Sequence, residues 1–390
     1  MSAHVAVAGA GLGGLTLALS LLRAGFRVTV LEQARRLGEV GAGVQISANG
    51  SRVLHALGLA PALDRVAFRP EAGEVRHWRS GEVLVSRPLG ASSIERFGFP
   101  YYHLHRADLH DALAAAVRAR APDAIRLGAR VEGFDDAPGG VRVRLADGTG
   151  VDADALIGCD GIHSRVRELL FGPDAPRFTG CVAWRATIPV ERLPPGHVRP
   201  VSSNWLGEGG HFVHYYLRRG TLVNCVGCTE RDEWIGESWS AEGDPRDFAR
   251  DFAGWHEALQ ALVRSVERCF RWGLFDREPL PRWSEGRVTL LGDACHPMLP
   301  FMAQGAVMSI EDACVLTRCL AATPGDVAGA LARYEGLRRE RTAGVQQMSR
   351  DNIALFHHVE SASEEALRGH RSRHEWLYAY DATAVETAAA

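Results

Sequence analysis

The sequence predicts an α/β protein in which a parallel-sheet unit is interrupted by a β-rich insert and followed by C-terminal helices. Three observations carry this. A strand, a Gly-rich turn, a helix and a second strand follow one another at the N-terminus. Short alternating strands dominate from about Gly180 to Trp272. Two long helical patterns close the chain after Arg287.

Val5–Ala8 is a short apolar run, a strand, and Gly9–Gly14 is the turn after it. Leu15–Leu22 is apolar nearly throughout and stops at Arg23-Ala24-Gly25, a helix with a Gly terminator. Arg27–Leu31 is β-branched and buried, and a βαβ unit of this kind belongs to a parallel sheet. Val75–Trp78 and Glu82–Ser86 flank Ser80-Gly81 as a hairpin. Ala107–Ala119 reads as a helix, Val141–Leu145 as a strand before an Ala-Asp-Gly turn, and Ala155–Gly158 as a short buried strand. Val182–Ile188, Ser202–Leu206, His211–Leu217 and Thr221–Cys228 alternate as an antiparallel sheet does. Phe248–Arg268 reads as helical, Arg287–Leu291 as a strand, and Gly305–Leu320 and Val327–His357 as helices. The Ala382–Ala390 tail is expected to fray.

Composition bounds the function. The 390 residues are 46% apolar and 23% charged, an ordinary globular balance. A net charge of −3 gives no electrostatic case for a nucleic-acid or membrane partner. The N-terminus enters a strand at once, with no secretory leader, and no apolar run approaches the roughly 18 residues of a membrane span. Eight cysteines in a chain of this size read as reduced thiols of a cytoplasmic enzyme. A monomer or homodimer is expected.

Gly9-Ala10-Gly11-Leu12-Gly13-Gly14 fits G-x-G-x-x-G between a strand and a helix, and Glu32 follows 18 residues after Gly14. Gly9 permits the tight turn, Gly11 lets the backbone approach a pyrophosphate, and Gly14 lets helix and strand pack closely. The helix N-terminus offers free N–H groups to phosphates, and Leu12 within the turn is read as cofactor-binding. Glu32 can accept from a ribose diol. The placement points to dinucleotide binding of the Rossmann type without separating NAD from FAD.

Gly158-Cys159-Asp160-Gly161-Ile162-His163-Ser164-Arg165-Val166-Arg167 resembles the "DG" motif of the single-component flavin-dependent aromatic hydroxylases. Arg287–Pro297 resembles their "GD" motif. His105-Arg106-Ala107-Asp108-Leu109 is similar to the helix start that carries their flavin-contacting Arg, which would be Arg106. Within the family the chain looks like the branch of salicylate, 3-hydroxybenzoate and 6-hydroxynicotinate hydroxylases. The cues are Gly41-Ala42-Gly43-Val44-Gln45-Ile46, Ala183-Trp184-Arg185, His211–Tyr215 and Trp376-Leu377-Tyr378.

The resemblance implies a glutathione-reductase-like FAD-binding domain over 1–70, 101–179 and 275–325. A β-rich substrate domain would cover 71–100 and 180–274, with a helical segment over 326–390. It also implies that Asp160 supports the pyrophosphate side and the nicotinamide route, and that Val131 contacts the adenine through its backbone. Asp293, just past a strand, can bond ribityl hydroxyls. Gly305 and Ala306 open a helix whose N–H groups and dipole would face the N1/C2-carbonyl edge of the flavin. With one dinucleotide fingerprint only, NADH or NADPH would dock transiently as co-substrate.

A flavin C4a-hydroperoxide, the oxidant implied by the family, attacks electron-rich rings, and a phenol with a pKa of about 10 is mostly protonated at neutral pH. A base or proton relay is needed, and histidine suits the task. Along His211–Leu217 alternate side chains share a face. His211 and Tyr215 share one and are read as base and hydrogen-bond partner of the substrate. The alternative is that this face is exposed, leaving His211 at the surface and His214 buried. His296 reads as a turn residue near the flavin and Gln304 as a loop-ordering residue. Leu299-Pro300-Phe301 lacks the polar side chain that related hydroxylases sometimes place there. Cys225 and Cys228, three apart on a strand, point to opposite faces and cannot share a metal, so none is expected.

The leading expectation is an FAD-dependent monooxygenase acting on a small phenolic or hydroxypyridine acid with NAD(P)H and O₂. The reaction would be decarboxylating if the attacked carbon bears the carboxylate. A flavin oxidase or dehydrogenase on the same fold, and a non-catalytic dinucleotide sensor, are the alternatives.

Overall fold

In the computed structural model, residues 3–38, 42–232, 241–361 and 373–387 are described. Six strands form the first sheet, in the order Ser284–Glu285, Val288–Leu290, Ala155–Gly158, His4–Ala8, Arg27–Glu32, Ile125–Leu127. All neighbours run parallel except the edge pair Ser284–Glu285 and Val288–Leu290. Parallel strands present their C-terminal ends at one edge, where α/β proteins bind ligands. Glu32, the Gly9–Gly14 turn, Asp160 and Gly292-Asp293 each lie at or just past such an end. Sheet order therefore sets four distant stretches of sequence in one row.

The helix Leu12–Arg23 covers this sheet and packs against Arg106–Arg120 and Gly305–Ala322. Its approach to the last of these needs Gly13, where a Cβ would lie 3.0 Å from both Leu291 Cδ2 and Ser309 Cβ. Val5, Val7, Leu15, Leu17 and Ile157 form the buried centre. Burying such side chains contributes roughly 1.5–3 kcal/mol each before chain entropy is counted.

The second sheet has eight strands, ordered Glu242–Gly243, Cys269–Asp276, Arg177–Pro189, Leu222–Glu230, Gly210–Leu217, Ser202–Leu206, Ala72–His77, Val83–Pro88. The four strands expected to form an antiparallel sheet do so. The expected hairpin joins them through a parallel contact between Ala72–His77 and Ser202–Leu206. One face buries Trp184, Phe212 and Cys225 under the helices Pro245–Asp251 and Glu257–Arg264. The other carries Cys181, Cys228 and Trp272 against Leu299, Phe301 and Phe356. A two-stranded ribbon, Gly43–Ile46 with Tyr102–His105, docks by a hydrogen bond from the Gly43 N–H to Asn224 Oδ1 at 2.8 Å.

Two expectations are corrected. Phe248–Arg268 is not one helix: the first helix ends at Asp251, Gly254 takes φ 81° in the break, and a second helix runs from Glu257 to Arg264. The tail does not fray from Ala382. Ala382 is buried and Val385 packs on the core, with their carbonyls accepting from Cys314 Sγ at 3.5 Å and Arg318 Nη2 at 2.9 Å. Residues 388–390 of that tail lie outside the described residues. The strand Cys269–Asp276 and the ribbon Gly43–Ile46 were not anticipated, since neither shows a clean period of two.

Candidate active site

A cavity of about 1290 Å³ runs from the Gly-rich turn, past Gly305, to the inner face of the eight-stranded sheet. Pockets for one drug-sized ligand are roughly 300–1,000 Å³, so this one has room for a dinucleotide and a second small molecule.

At the nucleotide end the turn is shaped for close approach. Gly9 has φ 100°, and a Cβ there would lie 2.5 Å from the Cys159 carbonyl oxygen. A Cβ on Gly14 would lie 2.1 Å from the Gly9 oxygen, so helix and strand touch through it. A Cβ on Gly11 meets nothing within 4 Å; that side of the turn opens to the cavity. Leu12 is buried behind the turn and starts a helix with no side-chain N-cap, which leaves its first N–H groups to a ligand. Glu32 lines the cavity and is held from both sides, accepting from the Ala10 N–H and the Ala34 N–H at 2.8 Å each. His110 Nε2 meets the Ala10 carbonyl at 2.8 Å and fixes the turn from below.

The other expected cofactor residues lie on the same cavity wall: Arg106, Val131, Asp160, Asp293, Gly305 and Ala306. Arg106 heads the helix Arg106–Arg120, its N–H bonded to the Ala42 carbonyl at 2.8 Å. Asp160 is committed within the chain. Its carboxylate accepts from Ser164 Oγ at 2.5 Å and from the Val166 N–H at 3.1 Å, tying the start of the helix Arg165–Phe171. Asp293 is exposed and lines the cavity, and desolvation by the protein around it raises its pKa. The helix Gly305–Ala322 begins without a side-chain cap. Gln304 instead donates to Ser47 Oγ at 3.0 Å and accepts from Asn49 Nδ2 at 3.2 Å, which orders the loop. Two uncapped helix starts, a glycine cradle and two carboxylates along one wall fit FAD: phosphates at Gly11, ribose at Glu32, and the flavin end at Asp293 and Gly305. Of the Gly41–Ile46 cue, Gly41 lies outside the described residues.

At the far end, His211 and Tyr215 both line the cavity, 2% and 3% exposed. Phe212 and His214 face the helix-covered side and are buried too. Both faces of the sheet are thus covered, and the alternative with His211 at the surface is overturned. His211 stands between the rings of Phe301 and Phe356, and its Nδ1 is 2.8 Å from His357 Nε2. Burial pushes its pKa well below 6.5, so the ring is neutral at pH 7 and can accept a proton. Burial raises the pKa of Tyr215, which keeps its proton as a donor. Tyr215 is pressed against the ribbon: a Cβ on Gly43 would lie 2.5 Å from its hydroxyl oxygen. Its ring centroid lies 4.4 Å from that of His103, the planes tilted by 40°.

Arg185 was named only as a family cue, yet its guanidinium lies over Trp272 at 4.9 Å, and it lines the cavity. Among the described residues its buried Nε has no hydrogen-bond partner. An Arg flanked by Trp184 and Ala186 in a mostly apolar stretch of strand was the signal available for it. His357 offered no such signal, because its neighbours come from another strand. His296 is not on the cavity wall; its Nε2 holds Asp312 at 2.6 Å beneath it. Cys225 and Cys228 fall in different cores on opposite faces of the sheet. Among the described residues no three His, Cys, Asp or Glu side chains are grouped to hold a metal, and no helix is long and apolar enough to cross a membrane.

This geometry is that of a flavoprotein: a dinucleotide row at the sheet edge and a second chamber under a β-sheet. The FAD binding domain family matches residues 2–350, and the chain belongs to it. It is 42% identical over 389 residues to a 3-amino-4-hydroxybenzoate 2-monooxygenase of Streptomyces platensis, covering 98% of this chain and 97% of that one. It is 38% identical over 355 residues to the 6-hydroxynicotinate 3-monooxygenase of Bordetella bronchiseptica, covering 90% and 92%. The crystal structure of a salicylate hydroxylase substrate complex superposes with a TM-score of 0.85 at 28% identity, covering 98% and 97%.

Proposed function

We propose that this FAD-dependent aromatic-ring monooxygenase hydroxylates a small phenolic acid, of which 3-amino-4-hydroxybenzoate is the best supported example, with NAD(P)H and O₂. The observation that carries the reading is the grouping of Arg185, His211 and Tyr215 on one sheet face, lining the cavity that Gly305 also lines. Arg185 supplies a fixed cation for the ring's carboxylate, and its unpartnered Nε gives that anion a donor. His211, neutral at pH 7, takes the phenol's proton and makes the ring electron-rich. Tyr215 donates a hydrogen bond that steadies the resulting phenolate. Phe301, Phe356 and Trp272 exclude water around the ring. Bound FAD supplies the redox chemistry, taking electrons from NAD(P)H and activating O₂. The uncapped start of helix Gly305–Ala322 favours negative charge at the edge it faces.

The names of the relatives support an amino- or hydroxy-substituted benzoate or a hydroxypyridine acid. The first of these spans nearly all of both chains. All eight cysteines are free thiols, which supports a cytoplasmic enzyme.

The test is NADH and NADPH consumption by the yellow holoenzyme with 3-amino-4-hydroxybenzoate, 3- and 4-hydroxybenzoate, salicylate and 6-hydroxynicotinate, with products identified by mass. Gain of one oxygen is the expected result. Gain of oxygen with loss of CO₂ marks the decarboxylating variant of the same reaction. Substrate-stimulated NADH oxidation that yields only peroxide, or a dehydrogenated product, would replace this reading with an oxidase or dehydrogenase.

A further inference from the structure

The long helix Val327–His357 ends on a histidine that the cavity wall meets from the other side. The His357 side chain is fully buried. Its Nε2 is 2.8 Å from His211 Nδ1, and its Nδ1 is 3.0 Å from Glu230 Oε1. Glu230 ends the strand Leu222–Glu230, and its side chain is 39% exposed. Three titratable groups therefore run in contact from the cavity to bulk solvent. Burial argues against a decorative role, because a buried imidazole pair without a task could as well be apolar.

The proton positions follow from donor and acceptor counting. An ionised Glu230 only accepts, so His357 Nδ1 carries a hydrogen. In a neutral ring His357 Nε2 then accepts, so His211 Nδ1 carries a hydrogen as well. The one free lone pair left on the two rings is His211 Nε2, on the residue that lines the cavity.

We propose that His211, His357 and Glu230 form a proton relay that carries the substrate's phenolic proton from the cavity to solvent. The proposal rests on the reading of His211 as the substrate's base. The phenol O–H breaks and its proton joins His211 Nε2, leaving a phenolate. His211 Nδ1 passes its proton to His357 Nε2, and His357 Nδ1 passes its proton to the Glu230 carboxylate. Glu230, now a neutral acid, releases that proton to water. Each ring is then neutral with its proton on Nε2, and it returns to its starting tautomer when that proton is exchanged for one on its own Nδ1, by ring reorientation or through water, with no net change in charge. No electrons change hands.

The relay answers a difficulty in the base assignment. A lone buried imidazolium at position 211 is costly, and burial is the first cause of its depressed pKa. Burial lowers the pKa of His357 as well, but there the Glu230 carboxylate opposes it and the helix C-terminus favours a cation, supports that His211 lacks. Among the described residues, other titratable groups facing the path are few. His358 lies 3.7 Å from Glu230 and 3.8 Å from Glu208, and Cys181 feels the Glu230 charge. Phe301 and Phe356 pack edge-on against the His211 ring, which still lines the cavity. The backbone holds the geometry independently of the ring: the Gly209 N–H donates to the His357 carbonyl at 2.8 Å and the Glu230 N–H to the Gly209 carbonyl at 2.9 Å.

The experiment is rapid mixing of FAD-loaded enzyme with 3-amino-4-hydroxybenzoate in weak buffer containing a pH-indicator dye, without NADH. Wild type, His211→Ala, His357→Leu and Glu230→Gln are compared. Glu230→Gln keeps the acceptor for His357 Nδ1 but cannot take its proton, so it separates geometry from transfer. Expected are a fast proton release in wild type, none in His211→Ala, and release slowed at least about tenfold in the other two. Substrate affinity, read from the flavin spectrum, should change less than about threefold in Glu230→Gln. Release at the wild-type rate in either His357→Leu or Glu230→Gln, with His211→Ala silent, overturns the relay and leaves the base reading standing. Wild-type release in His211→Ala, or no release in wild type, overturns both.

Discussion

His296 Nε2 and Asp312 Oδ2 lie 2.6 Å apart, with the two side chains 1% and 0% exposed. The same carboxylate meets Arg338 Nε at 2.7 Å through its other oxygen. Arg338 Nη1 lies 2.7 Å and Arg341 Nε 2.9 Å from Glu311. Glu311 in turn accepts from Asn49 at 2.7 Å, the residue that also binds Gln304 at 3.2 Å. A buried charge network thus clamps the two C-terminal helices together and braces the loop before Gly305. His296 belongs to that clamp and not to the reacting ring.

Arg338→Leu would leave Glu311 and Asp312 short of the cation between them. The expected loss is about 3–5 kcal/mol of stability, because an uncompensated buried charge costs more than a lost ion pair returns. Urea unfolding measures it, and an unchanged midpoint would contradict the clamp. His296→Gln should lower stability by about 1–3 kcal/mol and leave the pH profile of turnover in place.

The two glycines of the turn should fail in different ways. Gly14→Ala places a Cβ 2.1 Å from the Gly9 oxygen, so the helix must move off the strand and the apoprotein should lose stability. At Gly11 a Cβ has open space and φ is −69°, so the fold should keep its melting temperature. That Cβ enters the path of the pyrophosphate, and FAD affinity should fall about tenfold or more. Calorimetry on the apoprotein and FAD titration separate the two. Equal FAD affinity in Gly11→Ala and wild type would remove the phosphate from this turn.

The sheet-face residues should divide binding from chemistry. Arg185→Met should raise KM and leave kcat nearly unchanged if the guanidinium only holds the carboxylate. His211→Ala should lower kcat by about 10²–10⁴ with FAD retained. Tyr215→Phe should cost about 1.5–3 kcal/mol of transition-state stabilisation, the worth of a hydrogen bond to a charged group. Steady-state kinetics with the best substrate of the panel reads all three. A turnover in His211→Ala that matches wild type from pH 6 to 9 would end its assignment as base.

Acid should destabilise the fold before the carboxylates titrate. Burial holds His103 and His214 down at about 3 and His211 well below 6.5. Below pH 6.5 the unfolded chain binds protons that these rings in the folded state refuse, so stability falls as pH falls. Each contributes about 1.4 kcal/mol per pH unit, roughly 4 kcal/mol per unit for three. Asp160 and Asp293, whose pKa values burial raises, act in the opposite direction nearer pH 4. Unfolding free energies from pH 7 to 5 should show the slope, and His103→Phe should flatten it by about a third of the three-ring share. A pH-independent stability in that window would mean that these rings are not buried neutral.

Much of the molecule was legible one element at a time. The βαβ start, the strand Ala155–Gly158, the helix Val327–His357 and the antiparallel insert follow from apolar period and turn chemistry, which act over a few residues. Phe248–Arg268 misread because two short helices share one apolar texture, and only Gly254 marks the break between them. The tail misread because its order comes from Arg318 and Cys314, far away in sequence.

The sequence by itself determined the glycine turn, the carboxylates at strand ends and the alternation that sets His211 beside Tyr215. Each of these depends on backbone geometry within one element. Only the tertiary structure decided that both faces of that strand are buried, that His296 binds Asp312, and that Arg185 and Trp272 share the chamber. It alone brought His357 and Glu230 behind His211. Those relations join residues from separate strands and helices, and packing alone sets which of them meet.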